Sequence, residues 1–209
     1  MSEKFPTQNS PEVQPSRELL KPEQLDEWND RKYHIEKVGD EYSVVILGET
    51  HGHIGGSEYL NIIHKRVCGD APRIDLYTEK CVQEMCSELI YKGLINSAHD
   101  ISDGGLAIAL AECCILSPEQ HLKFGAKVNF TSELRNDFLF FGEDQSRIIV
   151  STSSKSIKEI EKISKKYRVA LHTMGIVTNG EFTLGKKISL SIDRIKEVYE
   201  NSLVERIEV

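Results

Sequence analysis

The chain has 209 residues, 26 Lys and Arg against 33 Asp and Glu, and a formal net charge of −7. That balance argues against a nucleic-acid partner, and no run of about 18 apolar residues offers a membrane span. No basic start followed by an apolar stretch marks a signal peptide, so the expected location is the cytoplasm. Residues 1–42 hold six Lys/Arg, ten Asp/Glu and four of the six prolines (Pro6, Pro11, Pro15, Pro22). Apolar residues are sparse there and keep no sustained period, the composition of a disordered or extended tail. Leu19, Leu20, Leu25 and Trp28 can form a short helix against the domain. Residues 43–209 read as one domain of about 165 residues, within the usual size for a single core.

In chain order, Ser43 to Leu47 is a short apolar run that suits a buried strand. Gly55, Gly56 and Ser57 open a helix over Glu58 to Lys65, with Ser57 placed to cap it. Val82, Met85, Cys86, Leu89 and Ile90 keep helical spacing, and Gly93 supplies a stop. Asn96 to His99 reads as a buried strand. Leu106, Ala109, Leu110 and Cys113 form the apolar stripe of the next helix. Arg147 to Ser151 is strand-like, and Ser156 with Glu159 has capping-box spacing ahead of Ile160 and Ile163. Ala170–Thr178 and Glu181–Leu190 read as a hairpin around Asn179-Gly180. Ile192, Ile195, Tyr199 and Leu203 mark a closing helix. Strands and helices mix without strict alternation, which predicts an α+β fold with a mixed sheet.

The five cysteines (Cys68, Cys81, Cys86, Cys113, Cys114) are odd in number and contain no Cys-x-x-Cys pair. They read as small core residues in a reducing compartment. The chemistry concentrates in His99-Asp100-Ile101-Ser102-Asp103-Gly104-Gly105-Leu106, where a strand gives way to a helix. A helix N-terminus favours anions, glycines allow close backbone approach, and Asp100 and Asp103 offer hard oxygen ligands suited to Mg²⁺. Mg-phosphate binding is one reading; an Asp-capped helix after a glycine turn is the other. His99 reads as a hydrogen-bonded structural histidine, since no Ser or Cys nucleophile pairs with it. His51 and His53, with Glu49 and Glu58 near, lack the ligand pattern of a zinc site. Gly55-Gly56-Ser57 is either a phosphate cradle or a tightly packed turn. Arg147, after Glu143 and Asp144, forms a local ion pair or contacts phosphate.

Three segments carry a family resemblance. His99 to Leu106, followed by Ala107-Ile108-Ala109-Leu110-Ala111-Glu112, resembles the C-terminal domain of the aminoimidazole ribonucleotide synthetase superfamily. Leu47-Gly48-Glu49-Thr50-His51-Gly52-His53-Ile54-Gly55-Gly56-Ser57-Glu58-Tyr59-Leu60 resembles a strand-loop segment of the phosphoribosylformylglycinamidine synthase family, large subunit. Leu139-Phe140-Phe141-Gly142-Glu143-Asp144-Gln145-Ser146-Arg147-Ile148-Ile149-Val150-Ser151 resembles that family's Phe-Gly-Glu-Ser-x-x-Arg segment, with Asp144 where Ser is usual. The resemblance covers about Ser43 to Glu205 and implies an aminoimidazole ribonucleotide synthetase-like C-terminal domain.

That resemblance also implies an ATP-dependent C–N ligase of de novo purine biosynthesis. The family converts formylglycinamide ribonucleotide and glutamine-derived ammonia to the amidine, releasing ADP and phosphate. It implies Asp100 as the Mg²⁺ ligand, and Ser102, Gly104 and Gly105 as the ATP/ADP contacts, working only with partner domains. No catalytic residue is carried over, because the family's catalytic histidine belongs to an N-terminal domain that nothing here matches. The implied partners are the missing N-terminal synthetase domains, a glutaminase subunit and a small accessory subunit. A chain of this kind is expected to be inactive alone, as a split subunit or a truncated gene product. The alternatives are a non-catalytic nucleotide-binding or docking module and a decayed fragment.

Overall fold

The structure, a computed structural model, describes residues 42–116, 123–129 and 132–202. Along the chain they form β1 (Tyr42–Leu47), α1 (Glu58–His64), α2 (Leu76–Tyr91), β2 (Ser97–Asp100), α3 (Gly105–Ile115), β3 (Phe124–Val128) and α4 (Asn136–Phe141). Next come β4 (Ile148–Ser153), α5 (Ile157–Tyr167), β5 (Leu171–Asn179), β6 (Glu181–Leu184), β7 (Ile188–Ser191) and α6 (Ile192–Asn201). The strands make one sheet in the order β2-β4-β1-β5-β3-β6-β7. Neighbours run antiparallel except β3 and β6, which are parallel. Strands and helices therefore build the α+β mixed sheet that the sequence predicts.

Helices lie on both faces of the sheet, and the alternation of β1 divides its side chains between two cores. Val44 and Ile46 pack with Leu106 and Leu110 of α3, Leu139 and Phe140 of α4, and Ile192 of α6. Val45 and Leu47 pack with Val82, Met85 and Leu89 of α2 and with Ile160 and Ile163 of α5. Coverage on both faces explains why β1 reads as an unbroken apolar run. Each large side chain so buried stabilises the fold by roughly 1.5–3 kcal/mol. The predicted helices have clear stops and starts. After α2, the Gly93 N–H bonds Ile90 O at 2.9 Å and the Leu94 N–H bonds Leu89 O at 3.0 Å, a Schellman closure around the predicted glycine.

Several expectations need correction. Tyr42, placed in the tail by composition, opens β1; the rest of that tail, like Leu203 of the closing stripe, lies outside the described residues. β2 spans Ser97–Asp100 and is largely exposed, because it is an edge strand with β4 as its neighbour. Ser156 makes no side-chain cap for α5; its backbone carbonyl accepts the Glu159 N–H instead. Tyr199 is exposed on α6, beyond the part of the helix held by Ile192.

The largest correction concerns the predicted hairpin. β5 and β6 do not pair, since β3 lies between them. Gly180 carries the chain across the start of β3, its N–H bonded to Lys123 O at 2.8 Å. The close passage is possible because a Cβ on Gly125 of β3 would lie 2.1 Å from Glu181 O. The hairpin that does form joins β6 to β7.

Candidate functional site

Sheet register brings the three motif segments together. β4 runs between β1 and β2, and its first residue, Ile148, is registered with both Leu47 and Asp100. The loop after β1, the loop after β2 and the segment 142–147 before β4 therefore meet at one end of the sheet. The Arg147 backbone carbonyl adds a bond from the Ile101 N–H at 3.0 Å.

Glu143, Asp144 and Arg147 tie these loops from the inside. One carboxylate oxygen of Glu143 accepts from the Glu58 N–H at 2.9 Å and the Gly104 N–H at 2.8 Å. It thus sits at the N-termini of α1 and α3 together, where a negative charge is favoured. Asp144 is buried, and its carboxylate accepts three successive N–H groups: His51 at 3.2 Å, Gly52 at 2.8 Å and His53 at 2.9 Å. The Arg147 side chain is 0% exposed. It donates to Asp144 O at 3.0 Å, Gly142 O at 2.7 Å and Thr50 Oγ1 at 3.3 Å. Its Nη2 is 3.8 Å from the Asp144 carboxylate. Burial lowers the guanidinium pKa, against the opposing charges of Asp144 and Glu143. The ion-pair reading of Arg147 holds, and its full burial leaves no face for a phosphate.

Asp144 and Glu143 are the residues whose structural weight the sequence reading missed. The available signal was two acids and an arginine within five positions beside Phe-Gly, together with Asp in place of the usual Ser. A serine hydroxyl cannot accept from three N–H groups as this carboxylate does.

The motif after β2 presents its polar side chains outward. The Asp100 side chain is 76% exposed, and Ser102 and Asp103 are exposed beside it. His99 is held as a structural histidine: Nδ1 donates to Asp100 O at 2.8 Å, and Nε2 is 3.3 Å from the Glu112 carboxylate. The Gly104 N–H is taken by Glu143, and the Gly105 N–H by Ser102 O at 3.0 Å. The cap residue of α3 is Gly104, not Asp103, so the helix has no side-chain cap bond from its cap residue. Gly105 has φ +67°, and a Cβ there would stand 2.6 Å from Gly142 O. The close approach served by Gly105 is therefore internal, helix against the segment before β4. What remains open to a ligand is the Asp100 and Asp103 carboxylates and the Ser102 hydroxyl. That donor set suits a Mg²⁺ ion held by one carboxylate and completed by phosphates and water.

The neighbouring loop is also built by close packing. A Cβ on Gly55 would be 2.5 Å from Asp70 O, His53 Nε2 donates to that carbonyl at 2.7 Å, and the Ser57 hydroxyl accepts from the Leu60 N–H at 3.3 Å. This favours the packed turn over a phosphate cradle. No group of three His, Cys, Asp or Glu able to hold a metal occurs among the described residues. Cys81, Cys86 and Cys114 are core residues and Cys113 is half-buried, whereas Cys68 is exposed. The core reading fails for Cys68 because its loop lies outside both cores.

Comparison with known proteins places this geometry. Residues 38–186 match the family model described as AIR synthase related protein, C-terminal domain. The chain is 42% identical over 168 residues to the phosphoribosylformylglycinamidine synthase subunit PurL of Thermoanaerobacter pseudethanolicus, covering 79% of this chain and 22% of that one. It is 34% identical over 165 residues to the same subunit of an Anaeromyxobacter species, covering 77% and 22%. Among solved structures, T. maritima PurL complexed with FGAR aligns with a TM-score of 0.60 at 18% identity, over 76% of this chain and 28% of that one. T. maritima PurL complexed with ATP aligns with a TM-score of 0.57 at 18% identity, over 77% and 26%. The chain thus spans about a fifth of the length of the curated relatives it matches. Its fold and its three converging motif segments belong to one domain type, and the chain is a member of the AIR synthase related family, represented by the C-terminal domain.

Proposed function

We propose that this chain is the C-terminal part of a phosphoribosylformylglycinamidine synthase, a cytoplasmic ATP-dependent ligase of purine biosynthesis. It supplies half of a nucleotide site and is inactive alone. The observation that carries this reading is the 42% identity to a synthase subunit over 168 residues. That stretch is long enough to hold all three segments that meet at Ile148. Structures of T. maritima PurL with ATP and with ADP support a nucleotide as the ligand of this fold. Asp100 would hold Mg²⁺ and Ser102 would contact the nucleotide. Gly104 and Gly105 allow the tight turn that presents these two side chains. In the whole synthase ATP would supply the phosphoryl group that activates the substrate's amide oxygen, with Mg²⁺ offsetting the charge that develops, while the site at Asp100 and Ser102 resembles the auxiliary, largely structural nucleotide site and not the turnover site. The chain's own part is to position: Glu143 fixes the start of α3, and the His99–Glu112 contact ties β2 to that helix. Partners on this reading are the remaining synthetase domains, a glutaminase subunit and a small accessory subunit; the solved PurLQS structure from Thermotoga maritima is of such a multi-subunit kind.

The test is complementation of a purine auxotroph lacking the synthase. The chain co-expressed with the remaining domains of a relative should restore growth without purines, and the chain alone should not. Growth restored by the chain alone would overturn the reading, as would failure of the combination when both parts are present and soluble.

A further inference from the structure

The segment 61–78 lies outside both cores. Pro72 is half-buried, and every other residue of the segment is exposed. Of the twelve large apolar side chains exposed among the described residues, six fall here: Ile62, Ile63, Val67, Ile74, Leu76 and Tyr77. Val67 is 84% exposed and Leu76 73%. α1 itself buries none of its residues. Tyr59, at its first turn, stacks on Phe141 at 4.9 Å.

The backbone of this arm is nevertheless fixed. The Gly56 N–H bonds Cys68 O at 2.8 Å, the Arg66 N–H bonds Leu60 O at 3.1 Å, and His53 holds Asp70 O. Fixing a backbone costs about 1–2 kcal/mol per residue, and the usual compensation is apolar burial, which the arm does not obtain from the other described residues. Its exposed cations, Lys65, Arg66 and Arg73, outnumber its two acids, Asp70 and Asp75, and the Asp75 carboxylate is committed to the Tyr77 N–H and the Thr78 hydroxyl.

We propose that this arm is the seat of the synthase portion outside the present sequence, whether continuous with it or a separate polypeptide. The inference rests on the synthase reading above. The occupant is identified by coverage: nearly four-fifths of the relatives' length has no counterpart here, and the arm lies inside the stretch that matches the family. The occupant's face is apolar with carboxylates at its rim, complementary to Lys65, Arg66 and Arg73. α1 starts on the same Glu143 oxygen that holds the first turn of α3. A domain seated on the arm therefore stands beside the Asp100–Ser102 edge and closes its open side.

The probe is the Thermoanaerobacter pseudethanolicus PurL polypeptide with the stretch matched by this chain deleted. Its binding to the full chain is measured by calorimetry. Ile63→Asp with Val67→Asp places two charges on side chains that no core uses, so the fold persists, as circular dichroism will show. This variant should bind the probe about tenfold or more weakly. Lys158→Glu with Lys162→Glu, on the exposed face of α5, should stay within about twofold of wild type. An arm variant that binds as tightly as wild type overturns the arm as the seat and leaves the synthase reading standing. A wild-type chain that does not bind the probe overturns the synthase reading, and the arm assignment with it.

Discussion

Asp144 and Arg147 depend on each other as a buried pair, 3.8 Å apart. Removing one member of a buried ion pair leaves the other uncompensated, at a cost of about 3–5 kcal/mol. Asp144→Ala should therefore lower the urea unfolding midpoint strongly and release the His51–His53 loop, seen as faster amide exchange at those three residues. An unchanged midpoint would contradict the role given to the pair. A second residue, Glu88, sets the acid behaviour. Burial opposes its charge, but bonds from Lys166, Lys92 and Tyr167 outweigh that and hold the carboxyl at about 2 against its usual 4.5. Because the folded value is the lower one, this contribution is full above about 4.5 and is lost as pH falls from there toward about 2. Glu88→Gln should flatten the stability profile in that window and leave its slope unchanged at neutral pH. The thiols divide as sharply. Burial pushes Cys86 to about 11, and it pushes Cys113 and Cys114 to about 12, with the Glu112 and Asp100 charges adding to Cys113. Only the thiolate reacts, so iodoacetamide should label exposed Cys68 first, and Cys68→Ser should remove the fast phase. Rapid labelling of Cys113 would show that α3 is looser than its packing implies.

At the scale of elements, α3 depends on a glycine at its first position. Gly105→Ala would force a left-handed backbone onto a residue with a Cβ, costing about 1–2 kcal/mol. It would also drive that Cβ against Gly142 O. A fall of several degrees in Tm is expected, and an unchanged Tm would mean that α3 need not approach the 142–147 segment so closely. The glycine pair was legible in the sequence, but its use was not. His99 to Leu106 announces a strand, a turn and a helix through local residue chemistry alone. That the Gly104 N–H points at Glu143 is set only by the registration of Ile148 with both Leu47 and Asp100. The same limit explains the hairpin. Asn179-Gly180 is a strong local turn signal, yet β3 inserts between β5 and β6 through pairing distant in sequence, and nothing near Gly180 encodes it. An element whose signal is local periodicity, such as α2 with Val82, Met85 and Leu89, was legible together with its Gly93 stop, though its start at Leu76 was not. β3 and α4 are short, and neither was anticipated.

At the scale of the molecule, two cores are closed while the edge at the end of β2 stays exposed. Asp100 and Ser102 are exposed, the arm over 61–78 is uncovered, and the relatives are several times longer. On the function proposed above, these three facts share an explanation: a domain whose site is finished by another. The most direct measurement is a calorimetric titration of the chain with ADP and Mg²⁺, alone and then with the remaining synthase domains. The chain alone should bind with a Kd of roughly millimolar or weaker, which corresponds to about 4 kcal/mol. The added domains should tighten binding about tenfold or more, and Asp100→Asn should remove most of that gain, about 1.4 kcal/mol per tenfold. Micromolar binding by the isolated chain, or a gain that survives Asp100→Asn intact, would contradict the half-site at the end of β2.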